Sequence, residues 1–123
     1  MSELSEHPDI VAKELGLRVV LPADNELFLD IDDAKSMEHY LDMLTVLDEN
    51  NIKYETRATE SAGGNNHIYV TLATEVSPQL RIALQAALGS DRKRELLSAL
   101  RIMLHLDCPA TVFFEVPSAE TKV

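Results

Sequence analysis

Glu26-Leu27-Phe28-Leu29-Asp30-Ile31-Asp32 decides the fold. Apolar and acidic residues alternate through Phe28–Asp32 after a polar turn, the period of a β-strand. Side chains two apart on a strand share a face, roughly 7 Å from each other. Asp30 and Asp32 therefore project together, and Leu27, Leu29 and Ile31 face the other way. Paired carboxylates repel unless positive charge lies between them, and a divalent cation (Mg²⁺ or Mn²⁺) is the usual candidate. The competing reading is that Asp32 or Asp33 caps the helix that follows.

Outward from this strand the pattern is regular. Asp32 or Asp33 opens a helix to about Asn50, with Met37, Tyr40, Leu41, Leu44 and Leu47 as its apolar stripe. Ile52–Thr59 and His67–Ala73 read as strands joined by a glycine-bearing turn, Glu60-Ser61-Ala62-Gly63-Gly64-Asn65, and so as a hairpin. Ser77-Pro78 is a helix start. Leu80, Ala83, Leu84, Ala87 and Leu88 form the expected inner face of that helix, which ends or kinks at Gly89. Ser90 is expected to cap a second piece carrying Leu96, Leu97, Leu100, Met103 and Leu104. Pro109 precedes a last strand, Thr111–Val116. Residues 1–22 are expected as an N-terminal arm with one or two helical turns ending at Gly16, 23–117 as the domain, and 118–123 as a polar tail that frays.

The order strand, helix, hairpin, helix, strand is the split β-α-β, or ferredoxin-like (RRM-like) βαββαβ, pattern. It predicts an α+β fold with a four-stranded antiparallel sheet. The first and third strands lie in the centre, the fourth beside the first, and both helices cover one face. Parity then places Ile68, Val70, Leu72, Val112, Phe114 and Val116 with Leu27 on the helix side. The open face carries Phe28, Asp30 and Asp32, then His67, Tyr69 and Thr71, then Thr111, Phe113 and Glu115, with Arg57, Lys53 and Glu55 from the second strand.

The bulk numbers set limits. At 123 residues the chain is one domain, long enough to bury a core. No apolar run reaches the length of a membrane span, and the acidic start of the chain does not read as a signal peptide. One cysteine, Cys108, forms neither an intrachain disulfide nor a cysteine cluster, which fits a cytoplasmic protein. A net charge of −10 disfavours generic nucleic-acid binding through a basic face. It is compatible with a metal-assisted phosphate site or with a basic protein partner. The dense basic cluster is Arg92-Lys93-Arg94, where positive charge opposes the dipole of its helix and suggests an anion or acidic surface nearby.

Phe28-Leu29-Asp30-Ile31-Asp32, with Asn65-Asn66-His67 entering a later strand behind Ser61-Ala62-Gly63-Gly64, resembles the archaeo-eukaryotic primase (primase-polymerase) superfamily. That family's signatures are a hydrophobic-hydrophobic-Asp-hydrophobic-Asp strand and a small-x-His strand entrance. The resemblance covers about residues 26–116. It implies divalent metal on Asp30 and Asp32, and nucleotide phosphate on His67, with Arg57 and Asn65 beside it. The third carboxylate is Glu115, or alternatively Asp107. The family's catalytic modules are usually larger, so the resemblance is to a reduced member, active or inactive. The implied activity is nucleotidyl transfer in replication.

A reading from a different class is a non-catalytic acidic interaction or inhibitor protein that binds a basic partner by charge. A third is a homo-oligomer whose interface is the open sheet face. Phe28, Tyr69 and Phe113 there would stack bases or pack under another element.

Overall fold

The computed structural model describes residues 7–60 and 66–115. Helix α1 spans Pro8–Leu15 and strand β1 Arg18–Val20. Then come β2 (Glu26–Ile31), α2 (Ala34–Glu49), β3 (Tyr54–Glu60) and β4 (Asn66–Leu72). Helices α3 (Pro78–Ala87) and α4 (Arg92–Met103) and strand β5 (Phe113–Glu115) complete the described chain. The protein is a mixed α+β structure, and none of its described helices is long and apolar enough to cross a membrane.

Local chemistry sets the boundaries. Pro8 and Pro78 stand at the first helical positions, where a missing N–H costs nothing. Gly16, at φ 70°, closes α1. Asp33 caps α2 by accepting from the Ser36 N–H at 2.7 Å, so the capping reading holds for Asp33. Ser77 caps α3 as expected. Helix α4 is capped one residue later than the sequence suggests, by Asp91, because the Ser90 hydroxyl is engaged elsewhere.

The hairpin and the central pairing are present. Strand β4 lies between β2 and β3, antiparallel to both, with Asp30 opposite His67 and Arg57 opposite Tyr69. The parity reading also holds for this sheet. Leu27, Leu29, Ile31, Ile68 and Val70 pack with Tyr40 of α2 and Leu88 in one cluster. Phe28 and Tyr69 face the other way and join Phe113 in a second.

The four-stranded sheet is not what forms. Among the described residues β5 does not join β2; it pairs antiparallel with β1, Val19 opposite Phe114, in a separate two-stranded ribbon. The stretch expected as an arm thus supplies a strand. Nor is the second face open. Phe28, Tyr69, Phe113, His67 and Glu115 are all buried there. Phe113 stacks on Phe28 and His67, with ring centroids 4.6 and 3.7 Å apart.

The outer edge of β2, where the fourth strand was expected, is closed by side chains from α3 and α4. Gln85 Oε1 accepts from the Phe28 N–H at 2.7 Å, and Ser90 Oγ from the Asp30 N–H at 3.0 Å. Arg81 Nε donates to the Glu26 carbonyl and Arg94 Nη1 to the Phe28 carbonyl, both at 2.8 Å. The Asp91 N–H reaches the Asp30 carbonyl at 2.8 Å, and the Glu26 N–H turns back to the Ala23 carbonyl at 3.0 Å. Every outward backbone group of residues 26, 28 and 30 is satisfied without a strand, as burial demands.

This substitution corrects the helix faces. Helix α3 turns Arg81, Ile82 and Gln85 inward and leaves Leu80, Ala83 and Ala87 exposed. Helix α4 buries Glu95 and Ser98, while Leu96, Met103 and Leu104 are 59, 63 and 51% exposed. On α2, Leu41 is likewise outside the core. Leu84 and Leu88 pack against the core as expected, but a helix that meets a strand edge also needs donors and acceptors on its inner face, and apolar periodicity does not mark these.

The turn between α3 and α4 depends on Gly89. Its φ is 99°, and a Cβ there would lie 3.1 Å from the Ser36 carbonyl oxygen and 3.3 Å from His39 Cδ2. Gly16 also has positive φ, but a Cβ there would meet open space. Gly89→Ala is expected to cost about 1–3 kcal/mol and Gly16→Ala about 1 kcal/mol. Thermal melts of the two variants check the order; equal losses would mean the contact with α2 yields freely.

Candidate functional site

A cleft of about 410 Å³ opens between the end of β2, helix α4 and the segment before β5. Asp30, His67 and Asp91 line it with Lys93, Arg94 and Arg101; Leu97, Ala110, Val112, Phe113 and Phe114 supply apolar wall. Strand pairing sets Asp30 against His67, and the first turns of α4 bring Lys93 and Arg94 to the same place.

Asp30 is an electrostatically perturbed group of the cleft. Its Oδ1 is buried and has no hydrogen-bond partner among the described residues. Burial raises its pKa above the ordinary aspartate value, against the attraction of Arg94 and His67, and the nearby charges of Asp91 and Asp32 push the same way as burial.

His67 is held from behind. Its Nδ1 pairs with Glu115 Oε2 in a buried contact. Glu115 Oε1 accepts from the Tyr69 hydroxyl at 2.7 Å and the Thr59 hydroxyl at 3.0 Å. Burial works against the Glu115 charge, but the bonds from Tyr69, His67 and Thr59 outweigh it and keep its pKa below the ordinary glutamate value. An ionised Glu115 accepts from Nδ1–H, which fixes the ring and leaves Nε2 as the nitrogen for the cleft. Tyr69 is pushed up to about 12, by burial first and then by Glu115, and stays neutral.

Behind the cleft runs a buried polar network. Gln85 Nε2 and Ser90 Oγ donate to the two oxygens of Glu95 at 2.8 and 2.7 Å, and Arg94 Nη1 donates to Glu95 Oε2 at 2.6 Å. Burial lowers the Arg94 pKa and raises that of Glu95, and each partner offsets part of the other's shift.

The structure therefore brings Asp30 and His67 together and separates the rest. Asp32 is exposed and borders a second cleft, of about 440 Å³, with Asp33, Lys35, His39 and Arg92. Glu115 sits on the far side of His67, engaged by three side chains. Arg57 lies over the Tyr69 ring, 3.7 Å from its centroid, and does not line the cleft. Asp107 is exposed. Asn65 and the glycine turn lie outside the described residues. No group of three or more His, Cys, Asp or Glu side chains stands in metal-holding geometry among the described residues. Of the implied metal set, Asp30 alone lines this cleft, and its buried Oδ1 has no hydrogen-bond partner among the described residues.

Comparison with protein-family models, with curated proteins and with solved structures found no match.

Sequence reasoning missed Gln85, Glu95, Arg101 and the structural part of Arg94. The signal was there: Arg81 and Gln85 lie four apart in an apolar helix, and Ser90, Arg94 and Glu95 continue the polar line into the next. The pattern marks a face that must answer backbone groups.

Proposed function

We propose that the cleft beside β2 binds a phosphorylated ligand, a nucleotide or a nucleic-acid end, with a divalent cation at Asp30. One observation carries this. A chain of net charge −10 gathers Lys93, Arg94, Arg101 and His67 around a carboxylate with an idle oxygen. Mg²⁺ commonly binds through one or two carboxylates plus substrate phosphates and keeps several waters. The cation, when bound, supplies charge that neutralises phosphate. Lys93 and Arg101 attract the anion, and His67, oriented by Glu115, offers Nε2 to a phosphate oxygen or a proton in transit. Apolar wall residues Leu97, Val112 and Phe114 suit the uncharged part of such a ligand.

This reading keeps the primase-like resemblance in reduced form. The split β-α-β order over β2-α2-β3-β4-α3 supports a ferredoxin-like unit whose last strand has left the sheet for β1. The acidic pair contributes one carboxylate to the cleft rather than two, and nucleotidyl transfer is the activity to assay once binding is established.

Calorimetric titration with ATP and Mn²⁺ tests it. Saturable binding that needs both components is expected for the wild-type protein. Asp30→Asn loses the cation dependence, and Lys93→Glu weakens binding at least tenfold. Because the Asp30 pKa is raised, cation-dependent binding fades on acidification at a higher pH than an ordinary aspartate would give. No saturable binding to folded wild-type protein overturns the proposal.

One observation favours a second reading. Glu38, Asp42 and Glu49 lie on the exposed face of α2 at spacings of four and seven, an acidic stripe suited to a basic protein partner. Capture of such a partner that survives chelator and fails in high salt supports this reading against the first.

A further inference from the structure

Strand β3 pairs with β4 on one side, and among the described residues no strand pairs with it on the other. Glu55, Thr56, Arg57 and Ala58 are all exposed. The bonding of β2 tells which backbone groups of β3 are left over. Residues 26, 28 and 30 turn their N–H and C=O groups away from β4, so 27, 29 and 31 bond β4 through 70, 68 and 66. The backbone groups of 67, 69 and 71 then serve β3 through 59, 57 and 55. Those of Tyr54, Thr56 and Ala58 point outward, and no described residue answers them as Gln85, Ser90 and Arg94 answer β2. Such an edge is a template for another strand.

The side chains select a second copy of the chain. A two-fold axis normal to the sheet pairs two antiparallel copies of β3 about a single residue. Centred on residue 55, it sets Glu55 against Glu55; centred on 57, it sets Arg57 against Arg57. A centre on Ala58 sets Arg57 against Thr59, and one on Tyr54 runs off the start of the strand. Centred on Thr56, it sets Glu55 of each copy opposite Arg57 of the other, twice over and on one face. The outward groups of Tyr54, Thr56 and Ala58 then meet those of Ala58, Thr56 and Tyr54 in the second copy. The charged pairs fall at the non-hydrogen-bonded positions, where opposed side chains come closest.

Helix α2 adds an apolar contact at the same level. Leu41 is 54% exposed and stands seven residues from Asp48, so the two share a flank of the helix. Asp48 accepts from the Tyr54 hydroxyl at 2.8 Å, which turns this flank toward β3. The other flank, Ser36 and His39, lies against Gly89 and Ala87. Tyr40, next to Leu41, hydrogen-bonds the Thr56 side chain, so Leu41 stands beside the middle of the free edge. With the axis normal to the sheet, both copies of α2 lie on the same side of it and turn their Leu41 flanks toward each other.

We infer that the protein forms a symmetric dimer by antiparallel pairing of β3 with β3 of a second copy about Thr56, with Glu55 of each copy opposite Arg57 of the other and Leu41 against Leu41. The product is one six-stranded sheet, β2-β4-β3 followed by the same three strands in reverse. It grows no further, because side chains of α3 and α4 close the outer edge of β2. A strand edge and one helix flank are small beside a standard interface of roughly 1,600 Å², so the dimer is weak and depends on concentration.

Light scattering of the full chain at physiological salt, from about 5 to about 500 µM, reads this directly. The mass is expected to rise from 13.7 kDa towards twice that value. Glu55→Arg alone and Arg57→Glu alone each set like charges opposite one another twice, and each weakens self-association about tenfold with the circular dichroism of a folded chain. Glu55→Arg also lowers the net negative charge, so its loss of association does not come from general repulsion. An equimolar mixture of the two variants restores both opposite-charge pairs and recovers wild-type association. Should Arg57→Glu, which also gives up its place over the Tyr69 ring, fail to fold, Glu55→Arg alone carries the test of register. A folded monomer at every concentration overturns the inference and makes the charges of β3 guards of an unpaired edge. A dimer indifferent to Glu55→Arg, or folded variants whose mixture stays monomeric, overturns the pairing about Thr56, and assemblies larger than a dimer overturn closure at β2.

Discussion

Arg94→Ala is expected to destabilise the protein by about 3–5 kcal/mol, the loss typical of removing one partner from a buried charge pair. The Arg94 side chain is 15% exposed and that of Glu95 3%. Arg94 donates to the Phe28 carbonyl, to Ser90 Oγ and to Glu95, so its removal strands a backbone acceptor on β2 as well as a carboxylate. Arg94→Lys does not repair this, because an ammonium cannot present a planar fork to several acceptors at once. The Glu95 pKa is already raised by burial, and loss of Arg94 raises it further. A group with a raised folded pKa contributes most when protonated, below its unfolded value near 4.5, and its contribution is lost as pH rises. The deficit of Arg94→Ala should therefore shrink on acidification, and Glu95→Gln in the same chain should recover much of it. Urea unfolding at two pH values measures both. A loss under about 0.5 kcal/mol at neutral pH would place Arg94 among ordinary surface residues and sink the account of the β2 edge.

Glu115→Ala is the second large effect, about 3 kcal/mol or more. Three donors converge on this carboxylate from β3 and β4, while Glu115 itself belongs to the β1–β5 ribbon. The group is thus a polar clasp between the two sheets, beside the Phe28–Phe113–His67 stack. Its sign with pH is opposite to that of Glu95. A depressed folded pKa gives stability that is present above the unfolded value, near 4.5, and is lost as pH falls through the folded one. Wild-type protein should lose more stability than Glu115→Gln on acidification from about pH 5. Glu115→Gln retains an amide oxygen for Tyr69 and Thr59 and should cost less than Glu115→Ala at neutral pH. If the two variants and the wild type share one acid profile, the ionised Glu115 does not clasp the sheets.

The contrast between these residues shows what a linear sequence reveals. Strand β2, the hairpin and the caps at Asp33 and Ser77 were legible because each depends on neighbours a few residues away. The two faces of β2 and β4 were legible because a strand alternates strictly. What was not legible is long-range partnership. A strand at 113–115 pairs with residue 19 or with residue 29 for reasons that no local pattern carries. Once β5 leaves, the edge of β2 must be closed from elsewhere, and the polar line Arg81, Gln85, Ser90, Arg94 was the only trace of it. The site was half legible for the same reason. Asp30 and His67 meet across the β2–β4 pair, which the split β-α-β order predicts, and share a face by parity. Lys93 and Arg101 arrive through the docking of α4, of which the basic cluster Arg92-Lys93-Arg94 and the polar line through Ser90 and Arg94 were the local traces.

The closure of β2 by side chains also dictates an order of events during synthesis. The groups that answer Phe28 and Asp30 lie 57 to 66 residues further along the chain. The three-stranded sheet is complete in sequence at Leu72, before any of them has been made. A nascent chain at that stage presents a finished sheet with one raw, apolar border, the condition in which strands of neighbouring chains recruit one another. Helices α3 and α4 follow the sheet along the chain and end that exposure, so slow translation between Leu72 and Met103 is expected to leave the β2 edge open to misassembly.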